Sequence, residues 1–174
     1  RIDAAGNATT RPENLRAENA LGIEFTTGYS PKKWWKLDMN FNFFHADIDG
    51  SNIETNYQAT TYSWFARATS KFLLPRNFDF QIRGNYEAPQ KTTQGSRKAL
   101  CFFDLAASKD ILRNKGTLTL NVSDLFNSRK WRTVTEGENF RTESTFQWRR
   151  RQVNLTFNYR INQGKPAVKK AAEE

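Results

Sequence analysis

Gln152-Val153-Asn154-Leu155-Thr156-Phe157-Asn158-Tyr159-Arg160-Ile161 decides the fold. Val153, Leu155, Phe157, Tyr159 and Ile161 take alternate positions, and Gln152, Asn154, Thr156, Asn158 and Arg160 take those between them. Strict alternation is the period of a β-strand, whose successive side chains point to opposite faces. Working outward, the pattern recurs. Leu21, Ile23, Phe25, Thr27 and Tyr29 alternate with Gly22, Glu24, Thr26 and Gly28. Leu37, Met39, Phe41 and Phe43 alternate with Asp38, Asn40 and Asn42. Phe78, Phe80, Ile82 and Tyr86 alternate with Asp79, Gln81, Arg83 and Asn85, and Leu118, Leu120 and Val122 with Thr117, Thr119 and Asn121. Weaker forms lie near Ser63–Phe72 and Ala99–Ala107, so the pattern predicts about seven strands.

The links between these segments alternate in length. Ser30–Lys33, Leu74–Asn77 and Arg113–Gly116 are tight turns carrying Pro, Asn or Gly, whereas Asp47–Thr61, Ala88–Lys98 and roughly Asn127–Glu143 are longer and polar. Short turns at one end and long loops at the other suit a barrel that crosses a membrane, with the short turns periplasmic. A soluble sandwich has no reason to sort its links so.

The apolar stripe could line a dry core or meet lipid. The opposite stripe is rich in Asn, Asp, Gln, Arg and Thr, as a water-filled lumen requires. Val153 to Ile161 is nine residues; at about 3.3 Å each and a tilt of about 40°, it covers roughly 20 Å of the ~25 Å apolar band. These features predict an all-β, antiparallel transmembrane β-barrel segment of about seven strands, an incomplete barrel wall. Phe41, Phe80, Leu120, Val153, Leu155, Phe157 and Tyr159 are then expected to face lipid, and Glu24, Asp38, Asp79, Arg83, Asn154 and Arg160 the lumen. The lumen-side group could line a substrate path or tie the wall to itself or to a plug. Trp34, Trp35, Phe72 and Tyr159 are expected at the inner interface and Tyr86 at the outer one, unless these rings are ordinary core packing.

Two residues break the parity. Lys109 follows Ala107 on the apolar stripe, and Asp124 follows Val122. A basic side chain at mid-bilayer costs about 2–4 kcal/mol and a carboxylate less. Lys109 is therefore expected near the inner rim, where it can snorkel, and Asp124 at a bulge or past the bilayer.

The 174 residues carry 26% charge, a net charge of +9, 14% aromatics and a single cysteine, Cys101. Mean hydropathy is −0.78, and no run reaches the roughly 18 apolar residues of a membrane helix. The aromatics argue against disorder, and one cysteine excludes an internal disulfide. Residues 1–14 read as an extracellular loop, 15–162 as the wall and 163–174 as a flexible periplasmic tail.

Chemistry-bearing motifs are sparse. There is no phosphate-cradling glycine loop, nucleophile elbow or zinc spacing, so neither an enzyme nor a cofactor or metal site is expected. His45 reads as an ordinary rim or loop residue, Cys101 as a small apolar filler, and Asp47 with Asp49 as loop acids that could bind a cation. Asn-x-Ser/Thr triplets at Asn7, Asn121 and Asn154 read as chance. Arg149-Arg150-Arg151 stands out: with Val153 facing lipid, Arg149 and Arg151 point outward just above the apolar band. A guanidinium is a planar fork of donors suited to phosphate. Arg149 and Arg151 are thus expected to meet lipopolysaccharide phosphates or an acidic partner, the plainer reading being a solvated rim patch.

Several motifs, in order, resemble the C-terminal part of the TonB-dependent receptor barrel, especially its outer membrane protein beta-barrel branch. Arg11-Pro12-Glu13-Asn14-Leu15-Arg16 with Glu18 and Leu21-Gly22 is similar to a loop-then-strand start. Phe103-Asp104-Leu105-Ala106-Ala107-Ser108-Lys109 and Asn121-Val122-Ser123-Asp124-Leu125-Phe126-Asn127 resemble the two strands before the last, and Val153 to Ile161 the closing strand that assembly machinery reads. The resemblance covers about residues 11–162 and implies a barrel of about 22 strands around a plug. It implies uptake of a nutrient or siderophore across the cell outer membrane. The implied partners are outer-membrane lipid and lipopolysaccharide, the rest of the barrel or plug, TonB and a surface lipoprotein. One alternative is an accessory or structural barrel in an outer-membrane complex without active transport. Another is a soluble β-rich nucleic-acid-binding module, which would explain the charge but not the sorted links; no nucleic-acid partner is expected.

Overall fold

The computed structural model describes residues 12–53, 57–137 and 140–161. Most of the N-terminal loop and all of the C-terminal tail expected above lie outside these residues. The described residues form eleven strands: β1 (Ala17–Lys32), β2 (Trp35–Asp49), β3 (Gln58–Leu74), β4 (Phe78–Glu87), β5 (Gln90–Thr92), β6 (Gly95–Arg97), β7 (Leu100–Ile111), β8 (Gly116–Ser123), β9 (Trp131–Gly137), β10 (Phe140–Phe146) and β11 (Gln152–Tyr159).

The seven alternating segments become β1, β2, β3, β4, β7, β8 and β11, which form one antiparallel sheet in that order. The expected count of about seven is too low for the chain as a whole. The links at 88–98 and 127–143, read above as plain loops, carry two hairpins, β5–β6 and β9–β10, joined through β6 and β9 into a second sheet. These four strands escape a search for greasy alternation because no lipid or dry core demands it of them. Gln90-Lys91-Thr92 and Gly95-Ser96-Arg97 contain no large apolar residue.

Tight turns close one end of the large sheet. Lys33 and Trp34 join β1 to β2, Pro75–Asn77 join β3 to β4, and Leu112–Lys115 join β7 to β8. Arg76 and Asn77 adopt positive φ (64° and 55°), the backbone hand that follows the right-handed twist of the flanking strands. Both small hairpins lie at the opposite end.

Registers place the side chains on two faces. Phe41 pairs with Phe25 and Ala66, Phe80 with Phe72 and Ala107, and Leu120 with Ala107 and Leu155. Phe41, Phe80, Leu120, Val153, Leu155, Phe157 and Tyr159 thus share one face. The sheet is a single layer. Leu21 is 80% exposed and Leu155 68%, and among the described residues no large side chain is fully buried. An apolar face of this extent in water would be an aggregation surface. Gly84 fits this face closely, because a Cβ there would come within 2.9 Å of the Phe103 ring directly across the ladder.

Burial is confined elsewhere. Ala46, Thr61, Ser63, Asn85 and Leu100 are the buried side chains of the large sheet among the described residues, and all sit on its polar face toward the hairpin end.

Candidate functional site

The apolar face carries aromatic rings at two levels. Toward the tight turns, Trp34, Trp35 and Phe72 stack at 6.0–6.4 Å, and Phe80 joins Phe72 at 6.1 Å. Toward the hairpins, Trp64 meets Tyr86 at 4.5 Å and Phe41 at 5.8 Å, and Tyr62 meets Phe43 at 6.4 Å. Phe72 and Trp64 are eight positions apart on β3, roughly 20 Å along the normal of a band crossed at about 40°. Beyond the upper level the same face turns polar, with Asn19, Asp47 and Thr60. Tyr86 stands at the upper level and Trp34, Trp35 and Phe72 at the lower. Tyr159 pairs with Gly116, beside the Leu112–Lys115 turn. Lys109, exposed, lies close before that turn and opposite Phe78, at the turn end of the face.

The polar face holds Glu24, Asp38, Asp79, Arg83 and Asn154, but not as one cluster. Asn40 donates to Glu24 at 2.8 Å and to Thr26 at 2.9 Å. Lys71 pairs with Asp79 at 3.4 Å, and Arg83 reaches Thr69 at 3.4 Å. Asp38 sits between Gly28 and Thr69 in the ladders, and Asn154 opposite Asn121 near the far edge. Arg160 follows β11 and donates to the Asn114 carbonyl at 3.2 Å, so it is bound to the turn below β7.

The densest polar arrangement is a joint between the two sheets. Asp124 is 2% exposed, has φ 54° and ends β8. Its position just after Ser123 explains the parity break: the strand has stopped, and the carboxylate turns inward. It accepts the Ser128 amide at 2.8 Å and the Arg129 amide at 3.0 Å, while its own amide donates to Asp104 at 2.9 Å. Asp104 also pairs with Arg129 at 3.2 Å. The Arg129 guanidinium lies 3.7 Å over the Phe102 ring, a cation–π contact that strengthens as it loses water. Asn127 accepts Gln147 at 2.9 Å and the Arg151 amide at 3.1 Å, which ties the way into β11 to the same joint.

The joint tilts the small sheet. Phe102 and Asp104 project from the polar face, opposite Asn85 and Arg83. On β3, Thr61 and Ser63 project from that face too. The Lys91 amide donates to the Thr61 hydroxyl at 3.1 Å, and the Ser63 hydroxyl reaches the Pro89 carbonyl at 3.3 Å. Past Pro89, which has no amide hydrogen for a ladder, β5 is held by side chains instead of backbone. Both attachments draw the small sheet over the polar face, which accounts for the burial there. On the other side a cleft of about 410 Å³ opens between Thr60, Tyr62, Gln90, Lys91, Arg97 and Lys98.

Arg149 is exposed, and the Arg151 guanidinium donates to the Leu125 carbonyl at 3.3 Å. Trp148 and Phe126 beside them are 71% and 67% exposed. His45 lies 3.6 Å from Asp47, which accepts the Thr60 hydroxyl, and Asp49 is 3.9 Å from Arg16. Cys101 is exposed opposite Tyr86 on the apolar face. Among the described residues no group of three or more His, Cys, Asp or Glu side chains converges as a metal site. The Arg129–Asp104 contact was not read in the sequence; with partners 25 positions apart, its one local sign was Asp124 out of phase.

No curated protein and no solved structure matches the chain. A family match does, over residues 1–159. An all-β antiparallel wall with one continuous apolar face agrees with it: the chain belongs to the outer membrane protein beta-barrel family, and its place is the outer membrane.

Proposed function

We propose that this chain forms part of the wall of a large solute-conducting barrel, the C-terminal wall of a TonB-dependent receptor that takes up a nutrient or siderophore. The observation that carries the reading is the single-layer sheet, greasy on one side and hydrogen-bonding on the other, with no second layer on the greasy side among the described residues. In this reading Phe41, Phe80, Leu120, Val153, Leu155, Phe157 and Tyr159 meet acyl chains, and Asp38, Asp79, Arg83 and Asn154 meet the lumen. β1 and β11 are both sheet edges. Unpaired edge groups in hydrocarbon cost several kcal/mol each, so further strands complete the wall. The TonB link rests on the order of the sequence motifs above.

Arg149 and Arg151, with Trp148, Phe126 and the basic cleft at Lys91 and Arg97, lie at the hairpin end of the wall. They suit the phosphates of lipopolysaccharide. If Arg149→Ser with Arg151→Ser left lipopolysaccharide co-purification unchanged, that contact would be dropped.

Single cysteines test the wall. Leu155→Cys is expected to resist a membrane-impermeant maleimide in intact outer membranes, and Thr156→Cys to react. Equal reactivity would defeat the reading. For the receptor role, the full-length product is expected to co-purify with the periplasmic domain of TonB. Failure there favours the second reading, an accessory or structural barrel without active transport. The pinned joint at Asp104, Asp124 and Arg129, which fixes the small sheet over the polar face, also favours that second reading.

A further inference from the structure

We infer that Arg67, Arg83 and Asn85 form an oxyanion-binding site on the polar face, selective for the phosphate or carboxylate of a free solute. The inference rests on the reading of that face as the lumen. Arg67 lies directly across the ladder from Asn85, and Arg83 is two positions along the same strand on the same face. Neighbours so placed have Cβ atoms roughly 5–7 Å apart, within the span of two guanidinium groups and one anion.

Among the described residues, neither arginine is ion-paired with an acid. Arg67 faces Asn40 on β2 and Asn85 on β4, and Asn40 already serves Glu24 and Thr26. Arg83 faces Asp104, but that carboxylate is taken by the Asp124 amide and by Arg129. Glu87, on the same face two positions beyond Asn85, lies opposite Phe65 and Leu100, and no ion pair joins it to either arginine. Asp79 is paired with Lys71. The joint between the sheets thus withdraws the one carboxylate that would neutralise Arg83.

Asn85 supplies the sign that something is missing. It is 9% exposed. Its Oδ1 accepts Arg67 Nε at 2.9 Å, and because that nitrogen can only donate, the amide orientation is fixed. The Asn85 Nδ2 is therefore a donor, and it is buried without an acceptor. A buried amide hydrogen without a partner is rare and costly. An oxyanion accepting from Asn85 Nδ2 and from the free ends of Arg67 and Arg83 supplies that acceptor and offsets the positive charge of the pair. Both arginines are exposed, and exposed side chains reorient within nanoseconds, so the site opens without backbone movement. Charged hydrogen bonds to a planar or tetrahedral oxyanion are the strong ones, which separates phosphate and carboxylate from chloride.

The test uses the full-length protein in detergent, arginine labelling by phenylglyoxal, and peptide-resolved mass spectrometry. Inorganic phosphate and acetate at millimolar concentration are expected to slow labelling of Arg67 and Arg83 about fivefold or more. Chloride at equal ionic strength is expected to leave it unchanged, and Arg76, exposed in the turn between β3 and β4, is expected to respond alike to all three. Asn85→Leu, which keeps both guanidinium groups, is expected to lose most of the protection. Equal slowing by chloride, or full protection in Asn85→Leu, overturns the site and leaves the wall intact. Arginines inert in every buffer also overturn it, because a carboxylate of the protein itself then holds the position. Failure of the wall shows separately, as equal thiol reactivity of Leu155→Cys and Thr156→Cys.

Discussion

The seven-stranded sheet and the four-stranded sheet are held by the same antiparallel ladders, yet their side chains answer to different solvents. In the large sheet every strand sorts its residues by face: Leu155, Leu120, Leu105 and Ile82 line one side, opposite Thr156, Thr119, Ala106 and Gln81. In the small sheet no such sorting appears. Trp131, Thr133 and Thr135 alternate with Arg132, Val134 and Glu136, and β10 runs Phe-Arg-Thr-Glu-Ser-Thr-Phe. Its cohesion comes from one buried valine, Val134, and from ion pairs of Arg141 with Glu136 at 3.1 Å and Lys98 with Glu143 at 3.7 Å. Amphipathicity is thus a requirement of lipid, not of β-structure. The chain stops being amphipathic where it leaves the large sheet.

The largest effect that separates the two sheets is a charge placed on each. Ala68 lies four positions from both Phe72 and Trp64, midway between the aromatic levels. Ala68→Arg is expected to destabilise the barrel by about 2–4 kcal/mol in bilayers. Thr142→Arg, on an exposed position of β10, is expected to change it by less than about 0.5 kcal/mol. Denaturant titration in liposomes measures both. Equal costs would mean that the aromatic levels do not bracket hydrocarbon.

The joint comes next. Asp104→Ala removes the acceptor of the Asp124 amide and the partner of Arg129. The two side chains keep about a third of their exposure or less, so water recovers part of the loss. A local cost of about 1–2 kcal/mol is expected. Hydrogen exchange is expected to rise in Trp131–Gly137 and not in β4 or β7 below the joint. A uniform rise would show that the sheets open as one unit.

A smaller effect belongs to the aromatic levels. Tyr86→Leu keeps a lipid-compatible side chain but removes the ring 4.5 Å from Trp64. About 0.5–1 kcal/mol is expected to be lost in bilayers. No loss would show that the ring pair adds nothing beyond its apolar area.

The same contrast explains what could be read from the sequence. Each of the seven lipid-level strands was legible, because a bilayer leaves no choice but alternation. Lys109 and Asp124 were legible as exceptions for the same reason. The four strands of the small sheet were not, since Gln90-Lys91-Thr92 and Arg141-Thr142-Glu143 are the composition of any wet loop. Nor was the arginine site. Arg83 could be placed on the polar face, but the loss of Asp104 to Arg129 depends on a contact 25 positions away. The idleness of Asn85 Nδ2 depends on where Arg67 points.

Acid gives the mildest test of the contrast. The Glu143 carboxyl is held below the ordinary glutamate range, chiefly by the hydrogen bond from Arg141 and next by the Lys98 ammonium, with burial opposing. A carboxylate whose pKa falls on folding adds stability that is fully present above its unfolded value, about 4.3. That stability is lost as pH falls through the lower folded value. Hydrogen exchange in Phe140–Phe146, corrected for the intrinsic rate, is therefore expected to speed up slightly between pH 6 and pH 3. The β8–β11 ladder serves as the internal reference, because Gly116–Ser123 and Gln152–Tyr159 contain no carboxylate. Because Glu143 is exposed, salt near 0.5 M screens the pairing, and Glu143→Gln removes the pH response of this group. A response that survives both changes would overturn its assignment to Glu143.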